Sequence, residues 1–189
     1  MFNSGNMKKR LKFWLLLILV VSIAFGESSC TQNVTSGANS KYKTYALKHY
    51  GVSFSFEYPV GYKTILSYIQ DNPDASIGVH FSWRGADPIF GVDIYSPNAE
   101  QVDPATAANT AGSHTPDEEI ERTSIAIAGT TGEMVAYNSD DYQNAPSINR
   151  GVYFDVNGVL WSISIYSSTA NADRAENDFD HIISTFKVN

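Results

Sequence analysis

Histidine and carboxylate side chains are the groups from which acid–base, metal and ligand-orienting chemistry is most readily built. This 189-residue chain has four histidines. His49 and His114 flank loop-like stretches, and His181 lies beside charged positions of a C-terminal helical pattern. His80 differs, because it stands on the polar side of a run that alternates Ile77, Val79, Phe81 and Trp83 with Gly78, His80 and Ser82. A second run alternates Phe90, Val92 and Ile94 with Gly91, Asp93 and Tyr95. With residues 84–89 as the connecting loop, antiparallel pairing sets Trp83 opposite Phe90, Phe81 opposite Val92 and His80 opposite Asp93. Asp93 then orients the imidazole, and Arg84 and Tyr95 near that face form a small polar groove. The candidate ligand-binding set is therefore His80, Asp93, Arg84 and Tyr95. The plainer reading of His80 and Asp93 is a surface pair sharing a hydrogen bond, since a metal needs further ligands. No metal ligand set and no cofactor is assigned.

Other chemistry finds no purchase. The chain has no G-x-S-x-G, H-E-x-x-H, P-loop or G-x-G-x-x-G, so no catalytic residue is assigned and a non-enzyme is expected. Asp71-Asn72-Pro73-Asp74 lacks the alternating ligands, central Gly and terminal Glu of a calcium loop, and reads as a turn. Asp117-Glu118-Glu119 with Glu121 reads as a solvated loop, as does Asp140-Asp141.

The N-terminus carries an address. Lys8, Lys9, Arg10 and Lys12 precede Phe13 to Phe25, an apolar run broken only by Ser22. That is too short for the roughly 20 residues of a spanning helix, and it has the form of a secretory signal peptide over residues 1–29. Cys30, the single cysteine, follows in Gly26-Glu27-Ser28-Ser29-Cys30. Ser28, Ser29 and Cys30 resemble a bacterial lipoprotein signal, in which the cysteine becomes the acylated mature N-terminus. Glu27 departs from that pattern, where an aliphatic residue is usual. Conventional cleavage near Ala24-Phe25-Gly26, with secretion, is the alternative, and an uncleaved anchor is a third. Residues 30–42, Cys30 then a Ser/Thr/Asn/Gly-rich stretch, read as a flexible tether.

Behind the address lies one domain, residues 43–189. The chain is 43% hydrophobic and 13% aromatic, enough to fill a core. Its formal charge is −7, and −10 without residues 1–29, which argues against nucleic acid as a partner. Val52, Phe54, Phe56 and Tyr58 alternate with Ser53, Ser55 and Glu57 as a half-buried strand does, and Pro59 ends the run. Ser124–Ala128 and Gly132–Tyr137 are expected as strands joined by Gly129-Thr130-Thr131. Asn157-Gly158 predicts a two-residue hairpin pairing Val156 with Val159, Phe154 with Trp161 and Val152 with Ile163, all on one apolar face. The opposite face pairs Tyr153 with Ser162 and Gly151 with Ser164. Asp103-Pro104 opens a short helix to Ala111 closed by Gly112. Ala175, Phe179, Ile182, Ile183 and Phe186 mark a C-terminal helix with Asn171 as N-cap.

Three stretches together resemble the PsbP-like domain, named for an extrinsic subunit of photosystem II. They are Tyr50-Gly51-Val52-Ser53-Phe54-Ser55-Phe56-Glu57-Tyr58-Pro59, then Ile127-Ala128-Gly129 with Gly132-Glu133-Met134-Val135, and last the Asn157-Gly158 hairpin with Phe179-Asp180-His181-Ile182-Ile183-Ser184-Thr185-Phe186. The resemblance implies an α+β fold, an antiparallel β-sheet flanked by helices in an α/β/α sandwich. It carries over no functional residue, because such relatives range from photosystem subunits to bacterial lipoproteins of unknown role. The expected function is that of a membrane-tethered extracytoplasmic lipoprotein, a binding or accessory module acting on a protein partner. The alternative is a small-ligand or metal-binding protein using the polar sheet face around His80.

Overall fold

A computed structural model describes residues 31–35, 40–49, 51–69, 76–95, 102–110, 119–140 and 146–189. The signal segment, Cys30, Asp71-Asn72-Pro73-Asp74, Ala111-Gly112, His114, Asp117-Glu118 and Asp141 lie outside them. In chain order the elements are β1 (Thr31–Thr35), β2 (Tyr42–His49), β3 (Val52–Pro59), β4 (Tyr62–Tyr68), β5 (Ile77–Trp83) and β6 (Ala86–Ile94). Helix α1 (Pro104–Thr110) follows, then β7 (Glu119–Ile127), β8 (Thr130–Asp140), β9 (Pro146–Val156) and β10 (Val159–Ser168). A 3-10 turn (Thr169–Asn171), helix α2 (Ala172–Thr185) and β11 (Lys187–Val188) complete the chain.

Period-two alternation gives each central strand one apolar face, and those faces must be buried together. They are buried in two antiparallel sheets: a four-stranded one in the order β1-β2-β3-β11 and a seven-stranded one in the order β4-β5-β6-β10-β9-β8-β7. Tyr45, Leu47, Phe54, Phe56 and Tyr58 from the small sheet meet Val79, Phe81, Phe90, Val92, Phe154, Trp161 and Ile163 from the large one, with Phe179, Ile182 and Phe186 closing the side. Rings carry much of this contact. Tyr45 meets Phe81 edge-on at 5.4 Å between centroids, and Phe54 meets Trp161 edge-on at 5.6 Å. The structure thus has the antiparallel strands that were expected, but a second sheet joins α2 where a helix layer alone was foreseen. On the outer face of the large sheet, Ala107 and Ala108 of α1 pack against Val135, Tyr137, Tyr153 and Leu160.

The β9–β10 hairpin has the register read from its turn: Val156 opposite Val159, Phe154 opposite Trp161, Val152 opposite Ile163 and Tyr153 opposite Ser162. Asn157 and Gly158 have φ of 56° and 80°, as a type I′ turn demands.

Several local expectations are corrected. Thr31–Thr35 is no tether: it pairs residue for residue with β2, from Thr31 opposite Lys48 to Thr35 opposite Thr44. The β5–β6 connection is not six residues long. Arg84 and Gly85, at φ of 52° and 85°, form a two-residue turn, and a bulge between Ser82 and Trp83 sets Phe81 opposite Phe90 and Val79 opposite Val92. The β7–β8 turn is Ala128-Gly129, so Thr130 and Thr131 belong to the strand. Glu119 and Glu121 lie in β7 and not in a loop. Charge pairing accompanies this: Arg122 holds Glu119 of its own strand at 2.7 Å and Glu133 of β8 at 3.4 Å, and Arg150 of β9 reaches Glu121 at 3.4 Å. Asp103 caps α1 as expected, its Oδ1 accepting the Thr106 amide at 2.9 Å. Asn171 stands at the N-cap of α2, yet its side chain makes no cap bond and donates to Asp87 Oδ2 at 2.8 Å.

Candidate functional site

The side chains of β5 and β6 that point away from the core lie on the outer face of the large sheet, part-exposed at His80 and Asp93 and buried at Ser82. Gly78, His80 and Ser82 alternate with the buried Val79 and Phe81, so they fall on the outer face. Gly91 and Asp93 do the same beside Phe90 and Val92. The corrected register puts His80 opposite Gly91 and Asp93 opposite Gly78, so the pair is diagonal and not directly cross-strand. Contact survives the shift. His80 Nε2 lies 2.9 Å from Asp93 Oδ1, with side chains 29% and 20% exposed.

The two glycines make this arrangement possible. A Cβ on Gly91 would sit 2.8 Å from His80 Cδ2, and one on Gly78 would sit 2.0 Å from Tyr68 Cζ. Both rings therefore lie down over bare backbone. Tyr68, from the edge strand β4, donates its hydroxyl to Asp93 Oδ1 and meets the His80 ring edge-on at 6.0 Å. Burial, and then the Asp93 carboxylate that accepts its proton, push the Tyr68 phenol well above its ordinary pKa. One carboxylate oxygen thus gathers a phenol and an imidazole, which holds both rings in place.

Tyr95 joins this neighbourhood. Its phenol acts on Tyr68 and on Tyr153, whose own pKa is raised first by burial and then by the nearby Tyr137, Tyr95 and Asp93. Tyr95 is 40% exposed, and Leu66, which pairs with His80 across β4–β5, is 49% exposed. Arg84 does not join. It occupies the hairpin tip, where its guanidinium lies 5.4 Å from the Trp83 ring centroid, and Arg174 of α2 stacks on the same ring at 4.3 Å. Three of the four candidate residues are thus brought together, and the fourth is replaced by Tyr68.

Tyr68 lay outside the sequence reading because β4 shows no alternation. The signal that pointed to it was the pair Gly78 and Gly91, since glycines within strands mark a close approach. Of the other described histidines, His49 is buried at the end of β2, and His181 stacks on Tyr42 at 3.7 Å with Nε2 3.3 Å from Glu57. Among the described residues no group of three or more His, Cys, Asp or Glu side chains gathers closely enough to hold a metal. His80 and Asp93 are two donors where a metal site takes at least three. Chemically, the arrangement presents a hydrogen-bonding cluster rimmed by apolar and aromatic surface. Among the described residues no helix is long and apolar enough to cross a membrane.

Two sheets pack through an aromatic core, and a helix after the last long strand returns to the small sheet, which is a PsbP-like fold. The fold is similar to that of cyanobacterial PsbP (CyanoP) from Synechocystis sp. PCC 6803, with a TM-score of 0.56 at 15% identity over 82% of this chain and 98% of that one. A more distant likeness, at TM-score 0.42 and 7% identity over 89% of this chain and 96% of the other, is to LpqN of Mycobacterium tuberculosis, described as involved in cell envelope biogenesis. No family model and no curated protein matches the sequence.

Proposed function

We propose that this chain is a membrane-tethered extracytoplasmic lipoprotein whose PsbP-like domain is a non-catalytic module that binds a protein partner. The observation that carries the binding role is the open outer face of β4–β6. There, exposed Leu66 and Tyr95 border the fixed His80–Asp93–Tyr68 cluster. Apolar and aromatic anchors around a few oriented polar groups are the composition of a protein-binding surface. The address rests on the basic segment, the short apolar run and the single Cys30.

Two measurements test the two halves. Mass spectrometry of the native N-terminus is expected to find an acylated Cys30, and an unmodified peptide beginning at Glu27 refutes the lipoprotein assignment. A photo-crosslinker at position 66 in living cells is expected to trap one discrete partner, with the adduct lost on Tyr95→Ala. Equal trapping from position 131, on the far part of the large sheet, removes the binding face.

A further inference from the structure

Two independent features of the small sheet point to one surface. The first is slack, or its absence. Thr31 is covalently next to Cys30 and is already paired with Lys48, so no more than about 4 Å of chain separates the cysteine from the sheet. The second is charge. Residues 31–59 with 187–189, which contain the small sheet, carry Lys41, Lys43, Lys48 and Lys187 against Glu57 alone, a net +3. Residues 60–186 carry five basic and eighteen acidic side chains, a net −13. The basic charge of an acidic protein thus lies in and around the small sheet, with Lys48 and Lys187 on its outer face beside Glu57, and Lys43 opposite Tyr58 on the core-facing side.

We propose that the outer face of the small sheet docks flat on an anionic phospholipid bilayer. This rests on the lipoprotein reading, since the acyl chains on Cys30 deliver the sheet to the surface. Lys48 shares that face with Ser53, and Lys187 shares it with Ser55, so the two lysines flank β3. Both are exposed, as are Thr31, Asn33 and Thr35, and Thr44, Ala46, Ser53 and Ser55 lie between them, while Tyr42 and Glu57, both held by His181 of α2, stand at the far end of the same face. Hydroxyls and ammonium groups suit phosphate headgroups and not the hydrocarbon. Each lysine at the surface contributes on the order of a fivefold factor to binding an anionic bilayer. The acidic remainder is repelled by the same field, which adds to the orientation.

Docking fixes where everything else points. The small sheet lies on the bilayer, the aromatic core lies above it, and the large sheet lies above that. The outer face of the large sheet, with His80, Asp93 and Tyr95, is then directed away from the membrane. A partner approaching from the aqueous side meets it unobstructed.

The test uses the full acylated protein in vesicles. Because acylation blocks Cys30, a second cysteine can be labelled selectively. Ser55→Cys places a fluorophore on the proposed face, and Thr131→Cys places one on the opposite side of the sandwich. Vesicles of phosphatidylcholine with phosphatidylglycerol carry a nitroxide quencher on the headgroup. The position-55 label is expected to be quenched strongly and the position-131 label little. Lys48→Glu with Lys187→Glu is expected to shift the docked fraction by more than about tenfold, while co-sedimentation with vesicles stays unchanged. High salt is expected to mimic that variant. Equal quenching at the two positions in co-sedimenting, acylated protein overturns the docking alone. Absence of acyl mass on Cys30, read before the vesicle step, overturns the lipoprotein assignment and this geometry with it.

Discussion

His80 and Asp93 are in contact at 2.9 Å although neither is the other's cross-strand partner. Each faces a glycine across the ladder, and each ring of the cluster lies over the space that a glycine leaves. The contact is therefore a property of five positions, Tyr68, Gly78, His80, Gly91 and Asp93, and not of one favourable pairing.

Gly78→Ala is the sharpest probe of that geometry. The added Cβ falls within the Tyr68 ring, so the ring must leave and its hydrogen bond to Asp93 is lost. Overpacking of this kind costs about 1–3 kcal/mol. Urea denaturation checks it, and a double variant with Tyr68→Ala should cost less than the sum of the singles. Additive costs refute the close approach.

Trp161 reports on the core. It is 3% exposed, stacks against Phe154 and meets Phe54 edge-on across the two sheets. Trp161→Ala should lower stability by about 3–5 kcal/mol, the range for removing a buried aromatic. A loss below about 1 kcal/mol in equilibrium unfolding would mean that the inter-sheet contact carries little.

What could be read from sequence followed the strength of local signals. At Asn157-Gly158 turn chemistry and apolar pattern agreed, and the register came out residue for residue. At Arg84-Gly85 the turn requires positive φ from an arginine, which side-chain sterics disfavour, so the sequence points to a longer loop and to a register two residues away from the one observed. The face of His80 and Asp93 survived because a shift of two preserves alternation, whereas a shift of one would have reversed it. Strands β1 and β4 carry no alternating pattern: Thr31–Thr35 is exposed throughout, and β4 is an edge with a bulge between Thr64 and Leu66. Backbone pairing holds them, and backbone pairing has no side-chain signature. Arg84 leaves the sheet face because its place at the hairpin tip hands its guanidinium to Trp83.

Gly158 is the obligatory half of that well-read turn. At φ of 80° a side chain brings Cβ against the following carbonyl. Gly158→Ala should destabilise by roughly 1–2 kcal/mol without altering the β9–β10 register, which amide exchange across Phe154 and Trp161 checks. An unchanged midpoint argues against the type I′ geometry.

Asp178 of α2 links stability to pH. Its carboxylate accepts the Tyr62 hydroxyl at 2.9 Å. Burial nevertheless outweighs that bond and the nearby Arg174 and His181 charges, so its pKa is raised above the usual carboxylate value. The native state therefore holds this proton more tightly than the unfolded chain does. Its contribution is fully present below the unfolded pKa, is lost as pH rises through the folded one, and leaves a penalty at neutrality. Asp178→Asn keeps an acceptor for Tyr62 and removes the charge. The variant should be more stable than the parent at pH 7, by less than about 1 kcal/mol because the half-exposed group is screened. That gain should vanish below about pH 4, where the parent carboxyl is itself protonated. Parallel stability curves for the two proteins between those limits would show that burial does not control this group, and that the Tyr62 hydrogen bond compensates it in full.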